Sequence, residues 1–168
     1  MKHVDVHGKT LKEVIPGARC DELFWRFLEL NEKYIFEEVI VSVGTNYLRH
    51  SDFYDIEIAQ EIVNLMTAIK AQAPSSTKFT YAQILPKRGR FNKLCYMDRI
   101  NFINGQIDLL LESHEIDFIN YTDLGNIINV TERNVFDIIS RDGTHLNRYG
   151  VKMVSWYLNE HLGWTCSY

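Results

Sequence analysis

The sequence predicts a single three-layer α/β/α domain spanning residues 1–168, with a mostly parallel sheet between its helices. Three observations predict it. Strand-like and helix-like stretches alternate along the chain, the pattern of a sheet whose crossovers are helical. The stretch Val39-Ile40-Val41-Ser42-Val43 is a near-continuous apolar run, as expected of a parallel strand covered on both faces. A length of 168 residues with 46% hydrophobic and 24% charged residues supplies one sizeable core, and no linker or repeat divides it.

The elements follow in order. Leu11 to Ile15 reads as a short strand closed by Pro16-Gly17, and Asp21 caps a helix whose Leu23, Phe27 and Leu30 recur on one face. Val39 to Val43 is the buried strand. Ser51 or Asp52 caps a long second helix with Ile58, Ile62, Met66 and Ile69 on one side, ended before Pro74. Phe79 to Leu85 forms a third strand and Pro86 to Asn92 a loop. A helix from Arg99 to Ser113 turns Ile103, Ile107 and Leu110 inward, and Ile116 to Tyr121 is the last strand. Val151 to Leu158 has the spacing of a C-terminal helix.

Chemistry concentrates in three short stretches. In Arg141-Asp142-Gly143-Thr144-His145 an Asp stands three residues before a His. That spacing lets the carboxylate hold one imidazole nitrogen and leave the other free as a base. Gly44 and Asn46 follow the buried strand, where a Gly permits close backbone approach and an Asn amide can donate into a cleft. Gly17 follows the first predicted strand. In doubly wound sheets a site forms at the carboxyl ends of the strands, so Gly17, Asn46, Asp142 and His145 are expected at one rim. Each also has an ordinary structural account: Gly17 as a type II turn after Pro16, Asn46 as a cap, His145 as a surface residue.

Taken in order along the chain, Ile15-Pro16-Gly17-Ala18-Arg19, Val43-Gly44-Thr45-Asn46 and Asp142-Gly143-Thr144-His145 resemble the SGNH/GDSL hydrolase family. The likeness is greatest to the esterase-type domains that accompany some retrotransposon reading frames, and it covers nearly the whole chain. The resemblance implies a flavodoxin-like hydrolase fold and acyl-ester hydrolysis of a small ester by Ser-His-Asp chemistry. His145 would be the base, Asp142 its orienting carboxylate, the Gly17 N–H and the Asn46 amide the oxyanion donors, and Gly44 the supporting turn.

The chain departs from the family at two points. The family's nucleophilic Ser stands in a Gly-Asp-Ser-like turn after a first strand, upstream of the Gly17 segment. No Ser precedes Gly17 here, so the nucleophile is unknown and the domain is expected to lack the first strand and to be N-terminally truncated. The expectation is then that residues His3 to His7 replace that strand or that its neighbours pair directly, with no esterase turnover by this chain alone. Such a chain would be an inactive, truncated hydrolase domain, an active hydrolase that recruits an unexpected Ser or works with an N-terminal partner segment, or a non-catalytic α/β binding or interaction module. Tyr47 stands where the family has Asp after the Asn, which removes the usual support of that donor.

Other function classes find little purchase. The net charge of −4 argues against independent nucleic-acid binding, and the one basic cluster, Lys87, Arg88, Arg90 and Lys93, reads as a solvated loop. Cys20, Cys95 and Cys166 are odd in number and lack metal-ligand spacing, which points to plain thiols in a cytoplasmic setting. No run approaches membrane-spanning length. No cofactor or metal is expected: Gly8-Lys9-Thr10 lacks the first Gly of a phosphate loop because His3 stands there, and alternating His3, Asp5 and His7 suit an edge strand.

Overall fold

The computed structural model describes residues 3–5, 10–49, 53–85, 93–119, 138–143 and 145–161. The order of elements is β1 (His3–Asp5), β2 (Thr10–Lys12), α1 (Cys20–Asn31), β3 (Glu38–Val41), a short turn of 3₁₀ helix (Tyr47–Arg49), α2 (Asp55–Gln72), β4 (Lys78–Ala82), α3 (Lys93–Glu112), β5 (Asp117–Ile119) and α4 (Arg148–His161). Strands β3, β4 and β5 form a parallel sheet in that order, with Glu38 opposite Lys78 and Thr80 opposite Asp117.

Alternation along these strands divides the core between two faces. Phe79 and Tyr81 point to the face covered by α1, α2 and α3, where Phe27, Ile58, Ile62, Met66, Ile103 and Ile107 pack with them. Ile40, Ala82 and Ile119 point to the other face and meet Val154, Tyr157 and Leu158 of α4. The sheet is therefore sandwiched between helices, as the alternating pattern predicted.

The helices begin where acidic residues can satisfy their first N–H groups. Helix α1 starts at Cys20, with the Glu22 carboxylate accepting the Arg19 N–H at 2.8 Å, so Asp21 lies inside the first turn and is not the cap. Helix α2 starts at Asp55, with the Glu57 carboxylate accepting the Tyr54 N–H at 2.9 Å. The expected caps Ser51 and Asp52 lie outside the described residues. Helix α3 begins at Lys93, six residues before the expected Arg99.

Three strand boundaries also differ. β3 ends at Val41, which leaves Ser42 exposed beyond the ladder. β4 ends at Ala82; the Gln83 N–H still donates to the Ile119 carbonyl of β5 at 3.2 Å, and beyond it a side chain holds the Ile84 backbone. The Asn104 amide accepts the Ile84 N–H at 2.9 Å and donates to the Ile84 carbonyl at 3.0 Å, replacing the partners a strand would offer. β5 covers Asp117–Ile119, and the expected continuation to Tyr121 lies outside the described residues.

The largest correction concerns the N-terminal region. The strand read at Leu11 to Ile15 is Thr10–Lys12, and it pairs antiparallel with β1 in a separate two-stranded sheet. Neither β1 nor β2 enters the parallel sheet, so the expected surrogate or direct pairing beside β3 is not formed. Between Leu11, Ile15 and the open edge of β3 lies a cavity of about 200 Å³, floored by Leu23, Phe27 and Ile69.

Candidate functional site

The Gly17 segment and the Asn46 segment meet. Ile15-Pro16-Gly17-Ala18 is a β-turn closed by the Ala18 N–H on the Ile15 carbonyl at 3.2 Å, with Gly17 at φ +80°. That is the left-handed position of a type II turn after Pro, where Gly alone is unstrained. The turn presents the Ala18 carbonyl to Asn46, whose side-chain amide donates to it at 3.0 Å. An amide carries two N–H donors, so one of Asn46's remains for a further acceptor.

Gly44 aims this loop. Its φ is +121°, and a Cβ there would lie 2.5 Å from Ile84 Cδ1, so both the backbone and the space require Gly. The loop then turns into the 3₁₀ helix through the Tyr47 N–H on the Gly44 carbonyl at 3.1 Å.

Tyr47, directly after Asn46, is buried and bonded at its hydroxyl on two sides. Its hydroxyl accepts the Cys20 N–H at 3.1 Å and donates to Glu61 Oε2 at 2.6 Å, tying the start of α1 to the Asn46 loop and to α2. Its ring is 2% exposed and packs edge-on to Phe53, while the Arg19 guanidinium lies 5.6 Å over the ring. Burial raises the Tyr47 phenol well above its ordinary value and pushes the Cys20 thiol up to about 11, so both stay protonated at neutral pH. Sequence reading noted Tyr47 only as a departure. Its position directly after Asn46, with an acidic residue on the following amphipathic helix, was the available signal.

The Asp-His pair is formed as the spacing implied. Asp142 Oδ2 lies 2.6 Å from His145 Nδ1, and Asp142 Oδ1 accepts the His145 backbone N–H at 3.0 Å. A tight hairpin makes this possible. Ile139 bridges Leu146, the Ser140 N–H donates to the His145 carbonyl at 2.7 Å, and the Asn147 N–H donates to the Ile138 carbonyl at 2.9 Å. Gly143 turns the tip at φ +73°, and Asn147 caps α4 by accepting the Gly150 N–H at 2.8 Å. With Nδ1 facing the carboxylate, Nε2 of His145 points away from Asp142, and no described residue bonds to it. Both side chains are largely exposed, at 75% for His145 and 51% for Asp142.

None of the serines placed by the structure serves this imidazole. Ser42, Ser75, Ser76 and Ser155 are exposed on other segments, and Ser113 donates to the Leu110 carbonyl. Ser140 Oγ donates to Asp142 Oδ1 at 2.7 Å and so engages the carboxylate, not the ring. Among the described residues no group of three metal-ligating side chains converges, and no helix is long and apolar enough to cross a membrane.

No protein-family model matches the chain, and no curated protein matches it in sequence. Its fold, however, is that of solved GDSL-like lipases and acylhydrolases. A GDSL-like lipase from Bacteroides thetaiotaomicron superposes with a TM-score of 0.65 at 19% identity, over 88% of this chain and 72% of that one. An acylhydrolase from Bacteroides fragilis gives 0.66 at 17% identity, over 88% and 71%. A catalytic mutant of an acetylxylan esterase from Geobacillus stearothermophilus gives 0.69 at 14% identity, over 94% and 74%.

Proposed function

We propose that this chain is an SGNH-type acyl-ester hydrolase domain carrying the base and the oxyanion donors of that chemistry. The observation that carries the reading is the Asp142–His145 pair, 2.6 Å apart with Nε2 unengaged by any described residue, on a fold shared with solved esterases. In this reading His145 removes the proton of an attacking hydroxyl and returns it to the leaving alkoxide, while Asp142 stabilises the imidazolium. The Gly17 N–H and the second N–H of the Asn46 amide donate to the oxyanion of the tetrahedral intermediate, each such donor being worth about 3 kcal/mol of barrier. For these groups to act together, Asn46 and His145 would have to face one cleft, and the position of Asn46 just beyond a strand's carboxyl end supports that.

None of the described serines is placed to be the hydroxyl nucleophile, and the chain alone is proposed not to turn over esters. The substrate class is a small acyl ester, in keeping with the esterases that share the fold. The buried free thiol of Cys20 supports a reducing, cytoplasmic setting. The test is acyl-ester hydrolysis with phenyl acetate, comparing the native chain with Asn46→Ala and His145→Ala. The proposal predicts no turnover that these substitutions remove. Turnover lost in both variants, and lost again on changing one Ser to Ala, would show a complete enzyme instead.

A further inference from the structure

Deprotonated imidazole carries a single N–H, and whether that hydrogen sits on Nδ1 or Nε2 decides which nitrogen can act as a base. At an exposed hairpin tip a lone carboxylate would rotate and exchange its partners with water, and its hold on Nδ1 would weaken. The Asp142 carboxylate is instead gripped from one side. Oδ1 accepts both the Ser140 hydroxyl at 2.7 Å and the His145 backbone N–H at 3.0 Å, which leaves Oδ2 turned onto His145 Nδ1 at 2.6 Å. Ser140 is itself immobilised, since its N–H donates to the His145 carbonyl at 2.7 Å and its carbonyl accepts the Gly143 N–H at 3.0 Å.

We infer that Ser140 is a positioning residue which, through Asp142, selects the Nδ1–H tautomer of His145 and so leaves Nε2 as the basic nitrogen. Its hydroxyl proton is committed to the carboxylate on the oxygen away from the ring, so it orients the pair and does not attack substrate. The use of this tautomer rests on the hydrolase reading, but its selection does not, and it is measurable without turnover.

The experiment follows the ring nitrogens of His145 by NMR on the ¹⁵N-labelled chain through the imidazole titration, in the native protein and in Ser140→Ala, Ser140→Cys and Ser140→Thr. The native ring is expected to hold its proton on Nδ1 once deprotonated. Ser140→Ala and Ser140→Cys shift the tautomer ratio toward Nε2–H by roughly fivefold, the worth of one hydrogen bond. Ser140→Thr, which keeps the hydroxyl, restores the native ratio. Ser140→Cys guards against a folding artefact, because it preserves size while donating weakly. The native tautomer ratio in both the Ala and Cys variants would overturn the inference. A tautomer shift in a chain that hydrolyses nothing leaves the inference standing and bears on the hydrolase reading alone.

Discussion

The side-chain amide of Asn46 donates to the carbonyl oxygen of Ala18 at 3.0 Å, joining two loops that lie 28 residues apart in the chain. The bond does two things. It fixes the amide plane, and it holds the turn that carries Gly17 against the end of β3. Asn46→Ala is expected to lower stability by about 1 kcal/mol, read as a shifted urea midpoint at unchanged slope. Asn46→Asp is expected to cost more, because a carboxylate would then face a carbonyl oxygen with no hydrogen between them.

Glycine substitutions separate required glycines from permissive ones. Gly44→Ala combines a left-handed backbone with a Cβ 2.5 Å from Ile84 Cδ1 and is expected to destabilise by about 2–4 kcal/mol. Gly150→Ala drives a Cβ into the Ile138 carbonyl oxygen, so α4 must move away from the hairpin that holds Asp142 and His145. Gly105 lies in α3 with nothing within 4 Å, and Gly105→Ala should stabilise by about 0.5–1 kcal/mol. Thermal unfolding of the three variants checks the order.

Asn104 is 7% exposed and satisfies both backbone groups of Ile84. Asn104→Leu should therefore cost about 2–4 kcal/mol, since a buried N–H and a buried C=O lose their partners together. Faster amide exchange at Ile84 in the variant is the specific signature.

Stability should fall in alkali. Burial raises the Cys20 thiol from 9.0 to about 11 and raises the Tyr47 phenol as well. Both groups are neutral when folded and ionise more readily when unfolded. Their contribution is fully present below about pH 9 and is lost as the pH rises through the raised values. For Cys20 the loss is roughly 2–3 kcal/mol. Unfolding midpoints measured across this range should be flat below pH 9 and fall above it, with a shallower fall in Cys20→Ala.

The sheet and the Asp-His pair were legible in the sequence because both are local. Phe79 to Ala82 carry their burial in their own composition, Val39 to Val41 are half-buried at the sheet edge where full cover was expected, and Asp142 reaches His145 across three residues. The N-terminal region was not legible, because a three-residue strand such as Thr10–Lys12 has no periodicity to say which sheet it joins. Nor were Asn104 and Tyr47: their partners, Ile84 and Glu61, are 20 and 14 residues away, and only the folded chain shows that one side chain holds the Ile84 backbone and the other ties the Asn46 loop to α2. Ser140 was visible as a neighbour of Asp142, but its role depends on the hairpin that turns its hydroxyl toward the carboxylate.

The central claim is the proposal that this chain carries the Asp-His pair and the Asn46 loop of an esterase site without an activated serine. Incubation of the native chain with an alkyl fluorophosphonate, followed by mass spectrometry of the intact protein and its peptides, tests this most directly, because such reagents phosphonylate a Ser whose proton a neighbouring base removes. The account predicts no adduct on any serine, with the native chain indistinguishable from His145→Ala. A stoichiometric adduct on one Ser, abolished by His145→Ala, would contradict it.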